Sequence, residues 1–258
     1  MHFTKMHGAG NDFIVIDPGE VEGANLPDLA RSVCDRHVGV GADGILVPAP
    51  SQVADLTMVY LNSDGSSSEM CGNGLRCLAR YARDYELVED DALTIETGAG
   101  IKKVLLYGDG SSRVNMGAPG LGSEVKLHGF TFLRVSMGNP HAVAFLGSEA
   151  EVEALDLEAV GPPVENDPLF SEKTNVEFAY ARGRDEVRMR IWERGAGETL
   201  ASGSGSCAVA VAAIRSGLAE SPVRVILDGG SVEIEWAVED EPVYMTGPAE
   251  YVCEGELL

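Results

Sequence analysis

The sequence has no long apolar run. No stretch of the 258 residues approaches the roughly 18 consecutive apolar residues that a membrane-spanning helix needs, so we expect no membrane segment. Residues 1–5 lack the basic stretch followed by an apolar stretch that is typical of a secretion signal. Apolar residues make up 45% of the chain and the mean hydropathy is +0.00, as is usual for globular proteins. We therefore expect a soluble protein located in the cytoplasm.

Basic residues are also scarce. The chain has 19 lysines and arginines against 41 acidic residues, which gives a formal net charge of −22. Because nucleic-acid binding needs a basic patch and the sequence contains no basic cluster, nucleic acid is not an expected partner. The acidic residues are spread along the chain and form no tail, so we interpret the charge as a solvated surface.

The cysteine pattern predicts neither disulfides nor zinc. Disulfide-stapled domains are short and have paired cysteines, whereas this long chain has an odd number of scattered ones. No CxxC pair and no cysteine–histidine cluster has the spacing of a zinc site. Each cysteine must therefore be interpreted from its own neighbours. The five are Cys34, Cys71, Cys77, Cys207 and Cys253.

The sequence does contain an internal repeat, whose two copies are 131 positions apart. Each copy predicts a strand with a polar last residue, a loop rich in glycine or serine, and a turn into a helix of small residues. The alignment pairs Asn62 with Glu193 and Cys71 with Ser202. A weaker sequence similarity relates the segments that begin the two halves. The copies are Met58-Val-Tyr-Leu-Asn62 with Cys71-Gly-Asn-Gly74, and Met189-Arg-Ile-Trp-Glu193 with Ser202-Gly-Ser-Gly205.

Short alternating strands and few helices predict an α+β fold. We expect two related domains, 1–117 with Cys71 and 118–258 with Ser202, divided where glycine and proline cluster. The final strand can return to the first half. The expected strands are 13–16, 45–47, 93–96, 103–107, 143–145, 176–179, 223–227 and 232–236. The expected helices are 27–35, 74–84, 150–160 and 206–216.

The repeated turn suggests chemistry at an amino-acid α-carbon. The first amides of a helix and the helix dipole attract an anion, so two facing helix starts could hold a substrate carboxylate. Cys71 and Ser202 would then flank the neighbouring carbon from opposite sides. Inversion of a stereocentre needs two such groups, since one face loses a proton and the other gains one. A thiol suits this proton transfer, because its pKa is about 8.5 when free and is lowered at a helix N-terminus.

Two other interpretations of the turn compete with this one. A cysteine in a glycine-rich turn is often only structural. Glycine-rich turns before helices often bind phosphate, for which residues 202–206 are suited. However, no Walker lysine follows, and neither turn matches the Gly-x-Gly-x-x-Gly fingerprint of dinucleotide sites. The residues alone therefore favour a catalytic role and a structural role of the turn equally.

The chain as a whole resembles the diaminopimelate epimerases. The shared motifs extend over nearly its whole length, and together they are very specific. They are Lys5-Met-His-Gly-Ala-Gly-Asn-Asp-Phe13, Arg36-His-Val-Gly-Val-Gly-Ala-Asp-Gly44, Asn62-Ser-Asp-Gly-Ser66, Glu69-Met-Cys-Gly-Asn-Gly-Leu-Arg-Cys77, Met137-Gly-Asn-Pro-His141, Thr174-Asn-Val-Glu-Phe178, Glu193-Arg-Gly-Ala-Gly-Glu-Thr199 and Met245-Thr-Gly-Pro-Ala249.

This resemblance implies a fold and an activity. The fold would have two pseudo-symmetric domains, each a mixed β-sheet or barrel around a central helix, with the active site in the cleft between them. The activity would be interconversion of LL- and meso-diaminopimelate in lysine and peptidoglycan precursor synthesis. The resemblance implies no pyridoxal phosphate and no metal. Family members are often homodimers, so a homodimer is the expected assembly.

The resemblance also assigns roles to residues. Family members use two cysteines, one on each face; the first corresponds to Cys71 and the second position is Ser202. His141 and Glu193 would tune these two proton-transfer residues. The residues that would hold the polar groups of the substrate are Asn11, Asn62, Asn139, Asn175 and Arg194. The residues that would offer backbone amides to the reacting carboxylate are Gly72, Asn73, Gly203 and Ser204.

Two positions depart from the family pattern. Gly44 stands where many members have a glutamine that contacts substrate, so that contact is lost or replaced. Ser202 matters more, because a hydroxyl is a much weaker acid than a thiol. Losing one positioned acid or base removes about 10² to 10⁴ in rate, so we expect slow epimerisation. Cys207 lies five residues further on and is a poor substitute.

Three explanations of Ser202 stay open. The serine is an engineered replacement that blocks one face or prevents oxidation with Cys71, or it is a natural variant that uses serine, with another activity such as elimination. The third explanation is a relative that binds a small zwitterion with little turnover. The alternative functions are accordingly a racemase of another amino acid and a small-ligand binding protein.

Overall fold

The structure is a computed structural model that describes residues 1–67, 69–237 and 241–257. The strands are β1 (His2–Gly8), β2 (Asn11–Val15), β3 (Gly44–Ala49), β4 (Leu56–Asn62), β5 (Ala92–Thr97), β6 (Gly100–Leu106), β7 (Ser111–Gly117), β8 (Gly120–Leu127), β9 (Phe130–Ser136), β10 (Pro140–Phe145), β11 (Asn175–Ala181), β12 (Glu186–Glu193), β13 (Gly197–Glu198), β14 (Val223–Leu227), β15 (Gly230–Glu235), β16 (Val243–Pro248) and β17 (Glu250–Glu256). The α-helices are α1 (Leu26–Val33), α2 (Gly72–Asp84), α3 (Glu149–Glu153), α4 (Leu157–Glu165) and α5 (Gly203–Arg215). A 3₁₀ turn occupies Pro18–Val21. Within the described ranges, no helix has both the length and the apolarity needed to cross a membrane.

The chain divides into two compact units. The first comprises Met1–Val114 with Gly247–Leu258, and the second comprises Asn115–Thr246. The first unit therefore takes the last strand, β17, from the far end of the chain. The duplicated halves 1–117 and 118–258 remain a prediction about how the sequence is organised.

The first unit is a mixed sheet around helix α2. Its strands lie in the order β17, β1, β2, β3, β4, β5, β6, β7. Successive pairs are antiparallel, antiparallel, parallel, antiparallel, parallel, antiparallel and antiparallel. Helix α2 packs against β1, β2, β3, β4 and β6, so the sheet curves around it. Leu75, Cys77 and Leu78 of this helix are fully buried.

The second unit repeats this arrangement around helix α5. Its strands lie in the order β8, β9, β10, β11, β12, β14, β15, β16, and the pairs follow the same succession of orientations. Helix α5 packs against β9, β10, β11, β12, β14 and β15. The alanine and valine residues of this helix point to all sides of it, which is typical of a helix buried in a core. The predicted α+β class with two pseudo-symmetric sheet-and-helix domains is confirmed.

A second helical layer covers the other face of each sheet. Parallel neighbouring strands need a crossover connection, and α1 connects β2 to β3 while α3 and α4 connect β10 to β11. Ile14 and Ile45 form part of the core beneath α1, and Phe132 and Phe178 form part of the core beneath α4. Each such side chain stabilises its unit by about 1.5–3 kcal/mol through burial.

One predicted helix is wrong. The sequence predicts a single helix over residues 150–160, whereas the structure has α3 ending at Glu153 and α4 beginning at Leu157. The reason is Asp156, whose carboxylate accepts a hydrogen bond from the Ala159 amide at 3.2 Å. An aspartate in this position caps a new helix and satisfies an amide that has no partner within the helix. The apolar periodicity alone does not reveal this break.

Candidate active site

Cys71 and Ser202 occupy the same local structure in the two units. Each is the N-cap of a 13-residue helix, Cys71 of α2 and Ser202 of α5. Their backbone angles nearly coincide, with φ −136° and ψ 118° at Cys71 and φ −141° and ψ 119° at Ser202. The Cys71 Sγ accepts from the Gly74 amide at 3.4 Å, and the Ser202 Oγ accepts from the Gly205 amide at 3.3 Å. The repeat in the sequence therefore corresponds to a repeat in structure at atomic detail.

The residues predicted to offer backbone amides lie in the first turns of these helices. Gly72 and Asn73 begin α2, and Gly203 and Ser204 begin α5. The first four amides of a helix lack carbonyl partners within it, and the helix dipole adds positive potential there. Each unit therefore presents a helix start that can attract a carboxylate next to its capping side chain.

The packing around Gly205 leaves little room for a side chain. A Cβ atom at position 205 would lie 2.8 Å from the Ile191 side chain and 3.1 Å from the Glu177 carboxylate. A larger residue would force the side chains of Ile191 and Glu177 to move. The glycine therefore keeps Ser202 close to the acidic residues of β11 and β12.

In the first unit, Asn11 contacts the Cys71 thiol. Its Oδ1 lies 3.5 Å from Sγ and accepts from Asn73 Nδ2 at 3.3 Å. Its Nδ2 donates to the Asp43 carboxylate at 2.6 Å, and Arg36 holds Asp43 with an ion pair of 2.9 Å. Because Asp43 can only accept when ionised, it fixes the amide of Asn11 with its oxygen toward the thiol.

Asp43 is a positioning residue that the sequence interpretation missed. It lies in one of the motifs on which the family resemblance rests, but no role was assigned to it. The available signal was an aspartate inside a glycine-rich segment that directly precedes β3. Asn62, at the end of β4, donates to the Ser66 hydroxyl at 3.0 Å and lies opposite Gly44 in the β3–β4 pair.

Position 44 has no room for a side chain. A Cβ atom there would lie 2.4 Å from the Leu61 carbonyl oxygen and 2.6 Å from the ring of Tyr60. The Tyr60 ring thus fills the space that a glutamine at position 44 would enter. A side chain at position 44 would therefore require the backbone of Leu61 and the ring of Tyr60 to move.

Restoring glutamine at this position is expected to be destabilising. Gly44→Gln should lower the free energy of unfolding by about 1–3 kcal/mol, because β4 must shift to admit the side chain. Urea denaturation followed by circular dichroism measures the change. The control is Gly108→Ala, since a Cβ atom at position 108 meets open space and this variant should unfold like the parent. A Gly44→Gln protein as stable as the parent would contradict the tight packing.

In the second unit, the Ser202 hydroxyl contacts Glu193. Ser202 Oγ donates to Glu193 Oε2 at 3.1 Å, and the Thr199 hydroxyl donates to Oε1 at 2.5 Å. Desolvation raises the pKa of Glu193, although the two hydroxyl donors and nearby His141 favour its charged form. Glu193 as a whole residue is half-buried, and its carboxyl group is surrounded largely by protein.

His141 forms a buried pair with Glu177. His141 Nδ1 lies 2.6 Å from Glu177 Oε1, and both side chains are excluded from solvent. Burial raises the pKa of Glu177, while the attraction of His141 opposes that effect. His141 Nε2 lies 3.1 Å from Asn139 Oδ1, and Asn139 Nδ2 donates to the Ser204 hydroxyl at 3.3 Å. This chain of contacts connects the histidine to the start of α5.

Sequence interpretation missed Glu177, although its motif was noted. The parallel pairing of β10 with β11 sets His141 opposite Asn175, so Glu177 is the next residue on the same face of β11. A charged residue in the middle of an otherwise apolar strand is unusual unless it has a partner, and this was the available signal.

Arg194 lies in the turn after β12 and contacts Asn175, the first residue of β11. Asn175 Oδ1 accepts from the Arg194 amide at 2.9 Å, and its Nδ2 donates to the Pro140 carbonyl at 3.0 Å. The exposed guanidinium of Arg194 donates to the Glu172 carbonyl at 2.8 Å. Glu165 supports the same turn by accepting from Trp192 Nε1 at 2.7 Å and from the Gly195 amide at 3.2 Å.

The predicted site residues therefore form two sets. In the first unit, Cys71 lies with Asn11 and Asn73, while Asn62 lies at the end of β4. In the second unit, the contacts join His141 to Asn139 and Ser204, Glu193 to Ser202, and Asn175 to Arg194. Among the residues that the structure describes, no group of three His, Cys, Asp or Glu side chains is arranged to bind a metal ion.

The family model and the full-length relatives that match this chain name the same family. The family model described as diaminopimelate epimerase matches residues 3–121 and 133–252. The chain belongs to the diaminopimelate epimerase family. It is 48% identical over 282 residues to the diaminopimelate epimerase of Desulfitobacterium hafniense, covering 100% of this chain and 98% of the relative. It is 47% identical over 278 residues to that of Moorella thermoacetica, covering 99% of each.

The fold is shared with more distant proteins. The crystal structure of a phenazine biosynthesis protein of the PhzF family from Bacillus anthracis matches with a TM-score of 0.76 at 18% identity, covering 100% of this chain and 99% of the other. At this identity the likeness concerns the fold alone. Membership of the diaminopimelate epimerase family, first inferred from motifs, is confirmed by the family model and the full-length relatives.

Proposed function

We propose that the protein interconverts LL- and meso-diaminopimelate by moving the α-proton from one face of a stereocentre to the other. The reaction would belong to lysine and peptidoglycan precursor synthesis. Full-length identity to diaminopimelate epimerases supports the substrate. The observation that carries the mechanism is the matched pair of helix caps, Cys71 and Ser202, with nearly equal backbone angles.

The reaction needs both helix starts at one carbon. Two converging sets of first-turn amides would bind the α-carboxylate and stabilise the charge that develops on it when the proton leaves. Cys71 and Ser202 would then lie on opposite faces of the α-carbon. Water must be excluded while the carbanion exists, so the substrate must be sheltered from solvent during the reaction. This chemistry uses neither pyridoxal phosphate nor a metal ion.

Cys71 handles the proton on its own face. A thiolate at a helix N-terminus is stabilised by the dipole and can remove the α-proton. The resulting thiol has a ready acceptor in Asn11 Oδ1, which lies 3.5 Å from the sulfur. The opposite face is served by a serine, and we propose that turnover is slow for this reason.

Exchange of the α-hydrogen with solvent tests the proposal. Each diaminopimelate stereoisomer is incubated with the protein in deuterated water, and deuterium at the α-carbon is followed by nuclear magnetic resonance. Exchange confined to diaminopimelate supports the function. Faster exchange of another amino acid would make the protein a racemase of that substrate, and calorimetric binding of meso-diaminopimelate without any exchange would make it a binding protein.

Arg194 is expected to set the preference for diaminopimelate. We propose that its guanidinium binds the distal carboxylate, with Asn175 holding the backbone of the same residue at 2.9 Å. Arg194→Ala should lower kcat/KM for diaminopimelate by about 10² or more, because a charge-assisted pair is lost. Steady-state kinetics measures the loss.

The matched control for this prediction is Arg184→Ala. Arg184 is also an exposed arginine of the second unit, but it pairs with Glu220 on the surface. This variant should keep the parental kcat/KM. If Arg194→Ala also keeps it, the distal carboxylate is bound elsewhere, and a substrate that lacks that group becomes the better candidate.

A further inference from the structure

Glu165 is a buried carboxylate that the proposed mechanism does not use. It is the last residue of α4 and is only 5% exposed. Both conditions disfavour a negative charge, because burial removes its hydration and the C-terminal end of a helix carries negative potential. A glutamate is rarely buried unless partners compensate its charge. The partners of Glu165 therefore indicate what this position serves.

Three donors surround the Glu165 carboxylate, and two of them flank Arg194 in the chain. Oε2 accepts from Trp192 Nε1 at 2.7 Å. Oε1 accepts from the Gly195 amide at 3.2 Å and from Lys173 Nζ at 3.1 Å. Burial alone would raise the pKa of this carboxyl group, but the three hydrogen bonds lower it because they favour the ionised form. The carboxylate thus holds the chain both before and after the arginine.

The loop before β11 provides the contact at the other end of Arg194. Lys173 has a φ of 59°, in the left-handed region that residues with a side chain rarely adopt. Its amide donates to the Phe170 carbonyl at 2.9 Å, and its ammonium group binds Glu165. The preceding carbonyl, that of Glu172, accepts from the Arg194 guanidinium at 2.8 Å. Glu165 therefore joins this loop to the turn that carries the arginine.

These contacts orient a side chain that would otherwise be mobile. Arg194 is exposed, and a long exposed side chain loses much conformational entropy when a ligand fixes it. Here Asn175 accepts from the Arg194 amide at 2.9 Å while Glu172 holds the guanidinium. A guanidinium carries several N–H donors, so the contact with Glu172 is compatible with a bidentate pair to a carboxylate.

We infer that Glu165 is a positioning residue that keeps Arg194 oriented to bind the distal carboxylate of diaminopimelate. This inference rests on the proposed function and specifies how the site selects its substrate. Glu165 acts through the backbone of the turn that follows β12. Glu193 begins the same turn, but its carboxylate is held separately by Thr199 and Ser202. Loss of the Glu165 contacts should therefore affect substrate binding much more than proton transfer.

Glu165→Gln tests this inference, because the amide nitrogen of a glutamine would face one of the donors that the carboxylate now accepts. The KM for meso-diaminopimelate should rise about tenfold, which is the effect of having to order one long side chain during binding. The kcat should change little. The concentration dependence of deuterium uptake gives both constants, and calorimetry should show the same factor in Kd because turnover is slow. Binding of lysine, which lacks the distal carboxylate, should stay unchanged in a nuclear magnetic resonance titration.

A double variant separates positioning from general damage to the fold. If Glu165 acts through Arg194, Glu165→Gln should add no further loss to Arg194→Ala, because residues of one contact network are not additive. General damage would add to the loss. The matched control is Glu153→Gln, since Glu153 also ends a helix, α3, and pairs with the buried Arg188 at 2.7 Å. This variant should keep the parental KM.

A milder variant tests the same contact if Glu165→Gln does not fold, which circular dichroism will show. Trp192→Phe removes the donor to Oε2 and keeps the charge of Glu165. It should raise the KM by about threefold, as expected for one lost hydrogen bond. It should likewise add nothing to Arg194→Ala.

Two results would overturn the positioning role. One is a folded Glu165→Gln protein with the parental KM for diaminopimelate. The other is a variant in which lysine binding weakens as much as diaminopimelate binding, which would mean that Glu165 supports the site as a whole. Failure of the proposed function is distinguishable from both, because the parent protein itself would then neither exchange nor bind diaminopimelate.

Discussion

The Ser202→Cys variant is expected to epimerise diaminopimelate about 10²-fold faster than the parent, with 10⁴-fold as the upper bound of a positioned acid or base. The cap geometry at position 202 already matches that at Cys71, so a thiol there should adopt the same orientation without rearrangement. The hydrogen bond to Glu193 would then help to deprotonate the thiol. A thiol would then transfer the proton on each face of the α-carbon. A coupled assay of meso isomer formation, run under reducing conditions, measures the gain.

The control for this prediction adds a thiol elsewhere on the same helix. Ser216 is the exposed C-cap of α5, so Ser216→Cys should leave the rate unchanged. Reductant is included because an added thiol can oxidise during the assay. If Ser202→Cys gains nothing with reductant present, the serine is not the cause of slow turnover. If this variant also does not need Cys71, the two-face mechanism does not apply to this protein.

The two helix N-caps could be predicted from the sequence, because the internal repeat that contains them is a local pattern. A strand that ends in a polar residue, followed at a fixed distance by a glycine-rich turn, specifies backbone geometry through neighbouring residues alone. The twin N-caps at positions 71 and 202 agree with it. The pairing of strands needs long-range information instead. Nothing local in β17 indicates that it joins β1, more than 240 residues earlier in the chain.

The supporting residues of the site were harder to predict for the same reason. Glu177 becomes meaningful only when β10 and β11 are paired in register, since this pairing brings it to His141. Asp43 acts on Asn11 across 32 residues of sequence. Polar residues that position other residues have no spacing rule of their own. They are identified from burial and hydrogen bonds, which the fold supplies.

Cys71→Ser is expected to lower the rate of epimerisation by about 10² to 10⁴. Serine keeps the N-cap, so the variant should fold like the parent, whereas Cys71→Ala would also lose about 1 kcal/mol of helix stability. The two positions therefore respond differently to the same residue. The hydroxyl at position 202 donates a hydrogen bond to the Glu193 carboxylate, and the Cys71 thiol contacts the amide oxygen of Asn11. Deuterium exchange from each face, with thermal unfolding as a folding check, measures both effects.

The matched control for this prediction is Cys253→Ser, because Cys253 is an exposed cysteine of the same unit. This variant should keep full activity. A Cys71→Ser protein that retained its rate within about tenfold would mean that Cys71 is not the group that moves the α-proton. Loss on the Cys71 face only, with exchange on the other face intact, would mean that each unit supplies one independent half of the proton transfer.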